Sequence, residues 1–155
     1  APDAVVSNLV LEHIPEPLLA PILSACFDLV APGGVMSHAI DLCDHAHYID
    51  PSVTQFNYLR FSPRAWSLVG NDVQHENRLR ASQYLDIYHG AGIPMDDVSS
   101  RAGEWAQLAA VPVAPAFAAL DVDDLLVVFL HITSVRPSGG STGPVGDDVA
   151  QTTST

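Results

Sequence analysis

Between Ala4 and Leu42 the hydrophobic pattern changes period twice, which confines the chain to few folds. Ala4, Val5 and Val6 form a short apolar, β-branched run, suited to a strand buried on both faces. Ser7 and Asn8 break that run with small polar groups that bond backbone amides locally. Pro15, Glu16 and Pro17 suit a helix entry, where proline's missing N–H costs nothing. Leu18, Leu19, Ile22, Leu23, Cys26, Phe27 and Val30 then recur at spacings of three and four, as on an amphipathic helix. Ala31-Pro-Gly-Gly34 stops the helix, and Val35 to Leu42 reads as a second strand. Strand, crossover helix, strand is the βαβ arrangement of a parallel sheet.

Beyond it lies a polar stretch from Asp41 to Pro51, too rich in aspartate and histidine for a core. Ser62-Pro63 opens a helix carrying Trp66, Leu68 and Val69 towards Gly70, and Ser82 is the expected cap of another carrying Tyr84, Leu85, Ile87 and Tyr88. A strand is expected over Asp97 to Arg101, then a loop with a short helical piece from Val111 to Leu120. Leu125 to Thr133 is the strongest strand, apolar enough to be central or covered on both faces. The tail, residues 137–155, is expected to be disordered on its glycine, serine and threonine content. The fold class is therefore α/β, with a polar helical insertion after the second strand.

Composition narrows the partners. Eighteen acidic residues against six basic ones, all arginine, give a net charge of −12, which argues against nucleic acid or an anionic membrane. No stretch approaches the ~18 apolar residues of a membrane span, and no basic-then-apolar leader opens the sequence. Cys26 and Cys43 suit a reducing, cytoplasmic compartment and make no disulfide framework or four-cysteine zinc site. A strand of interior type beginning by residue 3 or 4 leads us to expect the carboxyl-terminal part of a longer protein.

The densest chemical cluster is His38, Asp41, Asp44, His45, His47 and Tyr48. A period of two sends His38 and Asp41 to opposite faces of their strand, so they do not converge by themselves. Asp44, His45 and His47 fall in the loop at the strand's carboxyl end, where α/β sheets keep their ligands. Histidine beside a carboxylate suits a proton acceptor near neutral pH. The same residue types also line substrate pockets, bind divalent metals or sit in a solvated acidic loop, and the spacing matches no metal pattern, so no metal ligand is assigned. Arg78 and Arg80 flank a leucine and offer forks for a carboxylate or phosphate, or for an ordinary ion pair within the chain. Cys26 falls on the apolar helix face, and His131 lies inside the apolar strand as a satisfied core histidine.

The run Asp3-Ala-Val-Val-Ser-Asn-Leu-Val-Leu-Glu-His-Ile14, followed by a helix and Leu29-Val-Ala-Pro-Gly-Gly-Val35, resembles the second half of class I S-adenosylmethionine-dependent methyltransferases. Ile40-Asp-Leu-Cys-Asp-His45, Phe56-Asn-Tyr-Leu-Arg-Phe-Ser62, Trp66 and Asn77-Arg-Leu-Arg80 are similar to a bacterial subgroup of methyltransferase-like proteins. The resemblance covers residues 1–136 and implies a partial Rossmann-like sheet, about strands 4 to 7 of seven, with helices on both faces. The strands near 97–101 and 125–133 would be the antiparallel pair that closes it. It implies S-adenosylmethionine as cofactor, with Ser7, Asn8 and Leu9 beside its sulfonium end and Glu12 and His13 near it. His38, Asp41, Tyr48, Arg78 and Arg80 would face a small-molecule or glycan-type acceptor, with His45 or Asp44 accepting its proton.

The family's glycine-rich loop after its first strand has no counterpart in this sequence, so this polypeptide alone is expected to bind the cofactor weakly or not at all. Some members hold a metal with Glu-x-x-Glu-His, but Leu9 stands at the first glutamate position, which leaves Glu12, His13 and His38 as a lesser alternative. Two further readings are a non-catalytic remnant or binding module, and a metal-dependent hydrolase using His38, Asp44, His45 and His47.

Overall fold

The computed structural model describes residues 1–69 and 75–138. Gly70 and the glycine- and serine-rich tail from residue 139, expected above to end a helix and to be disordered, lie outside the described residues. The elements run β1 (Ala4–Asn8), α1 (Glu16–Leu29), β2 (Val35–Asp41), α2 (Ala46–Ile49), α3 (Pro63–Val69), α4 (Ala81–Gly90), β3 (Asp97–Ala102), α5 (Trp105–Ala109), α6 (Val122–Leu126) and β4 (Val127–Val135). Short 3-10 turns at Leu11–His13, Asn57–Arg60 and Pro115–Phe117 join them.

The four described strands are ordered β1-β2-β4-β3. β1 and β2 are parallel, with Ser7 opposite His38, and β4 runs antiparallel to both β2 and β3. This is a mixed sheet flanked by helices, and β3 and β4 form the expected antiparallel pair. Proline and glycine fix the crossover. Pro17 sits in the first turn of α1, and Gly33 takes φ +82° in the turn that follows the helix. At Gly34 a Cβ would come within 2.5 Å of the Asp3 carbonyl, the group that accepts a 2.9 Å bond from the Val35 N–H.

One face of the sheet carries the main core. Met36, Ile40, Leu130 and Ile132 meet Leu19 and Leu23 of α1 and Tyr84 and Tyr88 of α4. Leu19 and Leu23 are wholly buried, worth about 2 kcal/mol each as removed apolar surface. A second core, at the end where β2 stops and β4 begins, joins Cys43, Phe56, Tyr58 and Leu59 to Leu108, Phe117, Leu125 and Val128. On the opposite sheet face Val35, Ser37, Ala39, Phe129, His131 and Thr133 are only half-buried.

Three expectations need correction. β1 is not buried on both faces. It is the outer strand of the described sheet, its residues alternate between exposed and half-buried, and Val6 is 69% exposed because it lies, with its partner Ser37, on the sheet face opposite the main core. Leu125 and Leu126 belong to α6, capped by the Asp121 carboxylate, so the strong strand starts at Val127. Ser82 does not cap α4. The helix begins one residue earlier, the Arg80 N–H donates to Gln83 Oε1 at 2.9 Å, and the Ser82 hydroxyl donates to Asp124 at 2.6 Å.

Candidate functional site

β1 and β2 are parallel, so the chain leaving each one emerges at the same end of the sheet. β1 runs into Leu9, which holds a left-handed backbone at φ +56° although it carries a Cβ. That conformation is strained for leucine and turns the chain into the 3-10 turn Leu11–His13. β2 runs into the loop that carries Asp44 and His45. A third segment, His75 to Leu79, crosses beside the turn and is tied to it by Asn77. The Asn77 side chain donates to the carbonyls of Leu11 and Ile14, each at 2.9 Å, and its Oδ1 accepts from the Leu79 N–H at 3.0 Å.

These three segments bring Glu12, His13, Asp41, His45, Tyr48 and Glu76 together. Glu12 is 4% exposed, and neither of its carboxylate oxygens has a hydrogen-bond partner among the described residues. Burial pushes its carboxyl above the usual range. The His13 Nδ1–H donates to the His75 carbonyl at 2.7 Å, and its ring lies 4.9 Å from that of His45, edge to face. His45 stands between carboxylates: Nε2 is 3.5 Å from Asp41 Oδ2 and Nδ1 is 3.5 Å from Glu76 Oε1. The Asp41 contact, outweighing burial, holds the imidazole above its ordinary value.

Burial drives the Asp41 carboxyl upward. Bonds from His45, from the Tyr48 hydroxyl at 2.7 Å and from the Cys43 N–H at 2.9 Å overcome it, and the carboxyl sits below its usual range. Glu76 is pushed up to about 7 by burial, against the pull of His45. One of its oxygens accepts from the His45 N–H at 3.2 Å and the other has no partner among the described residues.

Several other candidates lie apart from this cluster. His38 follows the period of two onto the core face, where Nδ1 shares a 2.5 Å hydrogen bond with the Ser7 hydroxyl. Asp44 is spent on its own loop, accepting from the Ala46 N–H and the Asn57 amide, both at 2.8 Å. His47 bonds the Val53 carbonyl. Arg78 donates to the carbonyls of Tyr58 and Phe61 and stacks on Trp66 and Phe117. It also lines a hollow of about 250 Å³ with Glu16, Asn77, Gln83 and Phe117, which shares no side chain with the acid–histidine cluster. Arg80 is wholly buried against carbonyl oxygens. His131, half-buried, bonds the Ser37 hydroxyl at 2.9 Å. Sequence reasoning singled out neither Glu76 nor the clamp role of Asn77, whose only signal was a polar run better known for its arginines.

His38 makes acid stability a test of this packing. Burial, helped by His131, lowers its value from 6.5 to about 4. The unfolded chain therefore binds a proton that the folded chain refuses between those values, and stability falls as pH drops through that window. The shift corresponds to about 3 kcal/mol at the acid end. His38→Asn keeps a polar atom near Ser7 and cannot charge. Urea unfolding from pH 7 to 4 should show a visibly flatter loss for this variant, and an unchanged slope would contradict the assignment.

No protein-family model matches the chain, and no curated protein matches it. Among solved structures, it is similar to an O-methyltransferase family protein from Burkholderia thailandensis, at 13% identity and TM-score 0.45, over 89% of this chain and 31% of that one. It is similar to an S-adenosylmethionine-dependent methyltransferase from Mesorhizobium loti, at 13% identity and TM-score 0.48, over 86% of this chain and 62% of that one. Phosphoethanolamine N-methyltransferase 2 of Haemonchus contortus, solved with S-adenosyl-L-methionine, matches at 14% identity and TM-score 0.48, over 87% of this chain and 33% of that one. The chain thus spans from 31% to 62% of the length of these three solved chains.

Proposed function

We propose that this chain is the acceptor-side portion of an S-adenosylmethionine-dependent methyltransferase acting on a small-molecule or glycan-type acceptor. The observation that carries the reading is the meeting of Glu12, His13 and His45 at the shared carboxyl end of β1 and β2, just beyond the strained Leu9. Ser7, Asn8 and Leu9 would lie along the cofactor. Methyl transfer depends mainly on aligning nucleophile and methyl group, so the task of this wall is to hold the acceptor. Buried carboxylates at Glu12, Asp41 and Glu76 disfavour an anionic acceptor and suit a neutral or cationic one. Asp44 is tied into its loop, which leaves His45 as the group placed to touch the acceptor.

The same reading makes the isolated chain a half-cleft. The outer edge of β1 and the half-buried sheet face would be completed by a glycine-rich strand–loop–helix segment, which would also bring the cofactor's opposite wall. Calorimetric titration of the chain with S-adenosylmethionine should therefore give no micromolar binding, and such binding would sink the half-cleft idea. In a protein that carries the completing segment, His45→Ala should lower turnover about a hundredfold while the protein stays folded. Failure of that longer protein to bind the cofactor at all would remove the methyltransferase reading.

A further inference from the structure

We propose that Glu12, His13 and His45 form a binding site for one divalent transition-metal ion, with Asp41 and Glu76 holding His45 in place. Each of the three residues offers a ligand atom, and these atoms lie within 4.8 Å of one another. The edges of a tetrahedron around a single ion with bonds of about 2.0–2.2 Å are about 3.3–3.6 Å long, so the side chains need to draw together by about an ångström to share one ion.

The second observation is the state of Glu12. A carboxylate 4% exposed with both oxygens unpartnered is costly in a protein interior, by several kcal/mol in general, unless a proton or a cation answers it. None of the six arginines of the chain takes part in an ion pair with it among the described residues.

The third observation is how the two imidazoles are held. His13 gives its Nδ1–H to the His75 carbonyl, which leaves the Nε2 lone pair free to bind. A metal-binding histidine is ordinarily oriented in this way, by a carbonyl or carboxylate on its other nitrogen. His45 meets the same condition from either side. If one ring nitrogen coordinates, the other faces Glu76 or Asp41 at 3.5 Å. The unpartnered oxygen of Glu76 remains as an acceptor for a metal-bound water.

Two imidazoles and one carboxylate suit zinc, manganese, cobalt or ferrous iron better than magnesium or calcium, which favour oxygen ligands. Three protein ligands also leave positions open for water or an acceptor oxygen. His38, the third ligand of the sequence-based alternative, is turned into the core with Ser7, and His45 stands in its place.

This inference rests on the cluster alone and does not need the methyl-transfer reading. The chain is stripped with chelator and titrated with manganese chloride and with zinc chloride by calorimetry, with melting temperature followed in parallel. One equivalent should bind and raise the melting temperature. His13→Ala and His45→Ala should weaken binding about tenfold or more, while His89→Ala, exposed at the end of α4, should leave it unchanged. Glu12→Gln is the decisive variant if the histidine variants fold poorly. It removes a buried charge without changing shape, so the metal-free protein should keep or gain stability while losing metal affinity. Absence of saturable binding, or binding that survives Glu12→Gln, overturns the site. Metal binding in a completed protein that ignores S-adenosylmethionine would refute the methyl-transfer reading alone; cofactor-dependent transfer without metal binding would refute this one alone.

Discussion

Replacing Arg80 by methionine is expected to destabilise the fold by about 3–5 kcal/mol, as several buried acceptors lose their donor. The side chain has no exposure. One guanidinium nitrogen donates to the Leu42 carbonyl at 3.0 Å and to the Tyr58 hydroxyl; the other donates to the Leu125 carbonyl at 3.1 Å and to that of Val127. The acceptors come from the end of β2, the insertion and the α6–β4 junction, so the fork ties the second core, at Tyr58 and Leu125, to the main core, at Leu42 and Val127. Tyr58 adds to it by donating to the Leu42 carbonyl at 2.6 Å, and burial pushes its hydroxyl up to about 12, which keeps it a donor. Methionine fills the space and leaves several buried carbonyls without partners. Arg80→Lys, with a single ammonium in place of a planar fork, should recover only part of the loss. Urea unfolding at neutral pH gives the answer, and a loss below about 1 kcal/mol would mean that the strut is dispensable.

Asn77→Ala is expected to remove about 2–4 kcal/mol and to loosen the acid–histidine cluster at the same time. The amide donates to Leu11 and Ile14, its oxygen accepts from Leu79 and from the Tyr84 hydroxyl at 3.1 Å, and the Asn77 N–H donates to the Glu12 carbonyl at 2.9 Å. The side-chain bonds vanish in alanine while the backbone one survives, so Glu12 loses its frame without losing every tether. Asn77→Asp separates the halves of this role, because it keeps the acceptor for Leu79 and replaces the donor to two carbonyls with a negative charge. It should fare no better than alanine. Unfolding curves report the stability, and faster amide exchange at Leu11 to His13 reports the loosening. Unchanged exchange there would detach Asn77 from the site.

The crossover from Ala4 to Leu42 was legible because period and punctuation agree: three-four spacing in α1, proline at its entry, glycines after its exit. The separation of His38 from Asp41 was legible too, since it needs only the two-residue repeat of a strand. The exposure of β1 was not. A run such as Ala4-Val5-Val6 states its preference for burial, but whether a neighbour covers it is decided by chain that lies elsewhere. The arginines show a different limit. Residue type announces a fork of donors, yet carbonyl oxygens of the same chain satisfy it as well as a ligand does, and for Arg80 the deciding acceptors are at Leu42 and Val127. Glu76 escaped notice because its value comes from His45, which is distant in sequence and meets it only after β2 and the crossing segment are in place.

The position of β4 has a consequence for how the chain is assembled in time. Among the described strands it comes last in sequence, yet it lies between β2 and β3 and is the described strand that joins them. Until Val127–Val135 has left the ribosome, β1 and β2 can pair through their own crossover, while β3 lacks the partner it has among the described strands. The described sheet is therefore joined across β2 and β3 only when β4 is seated between them, pairing on both sides.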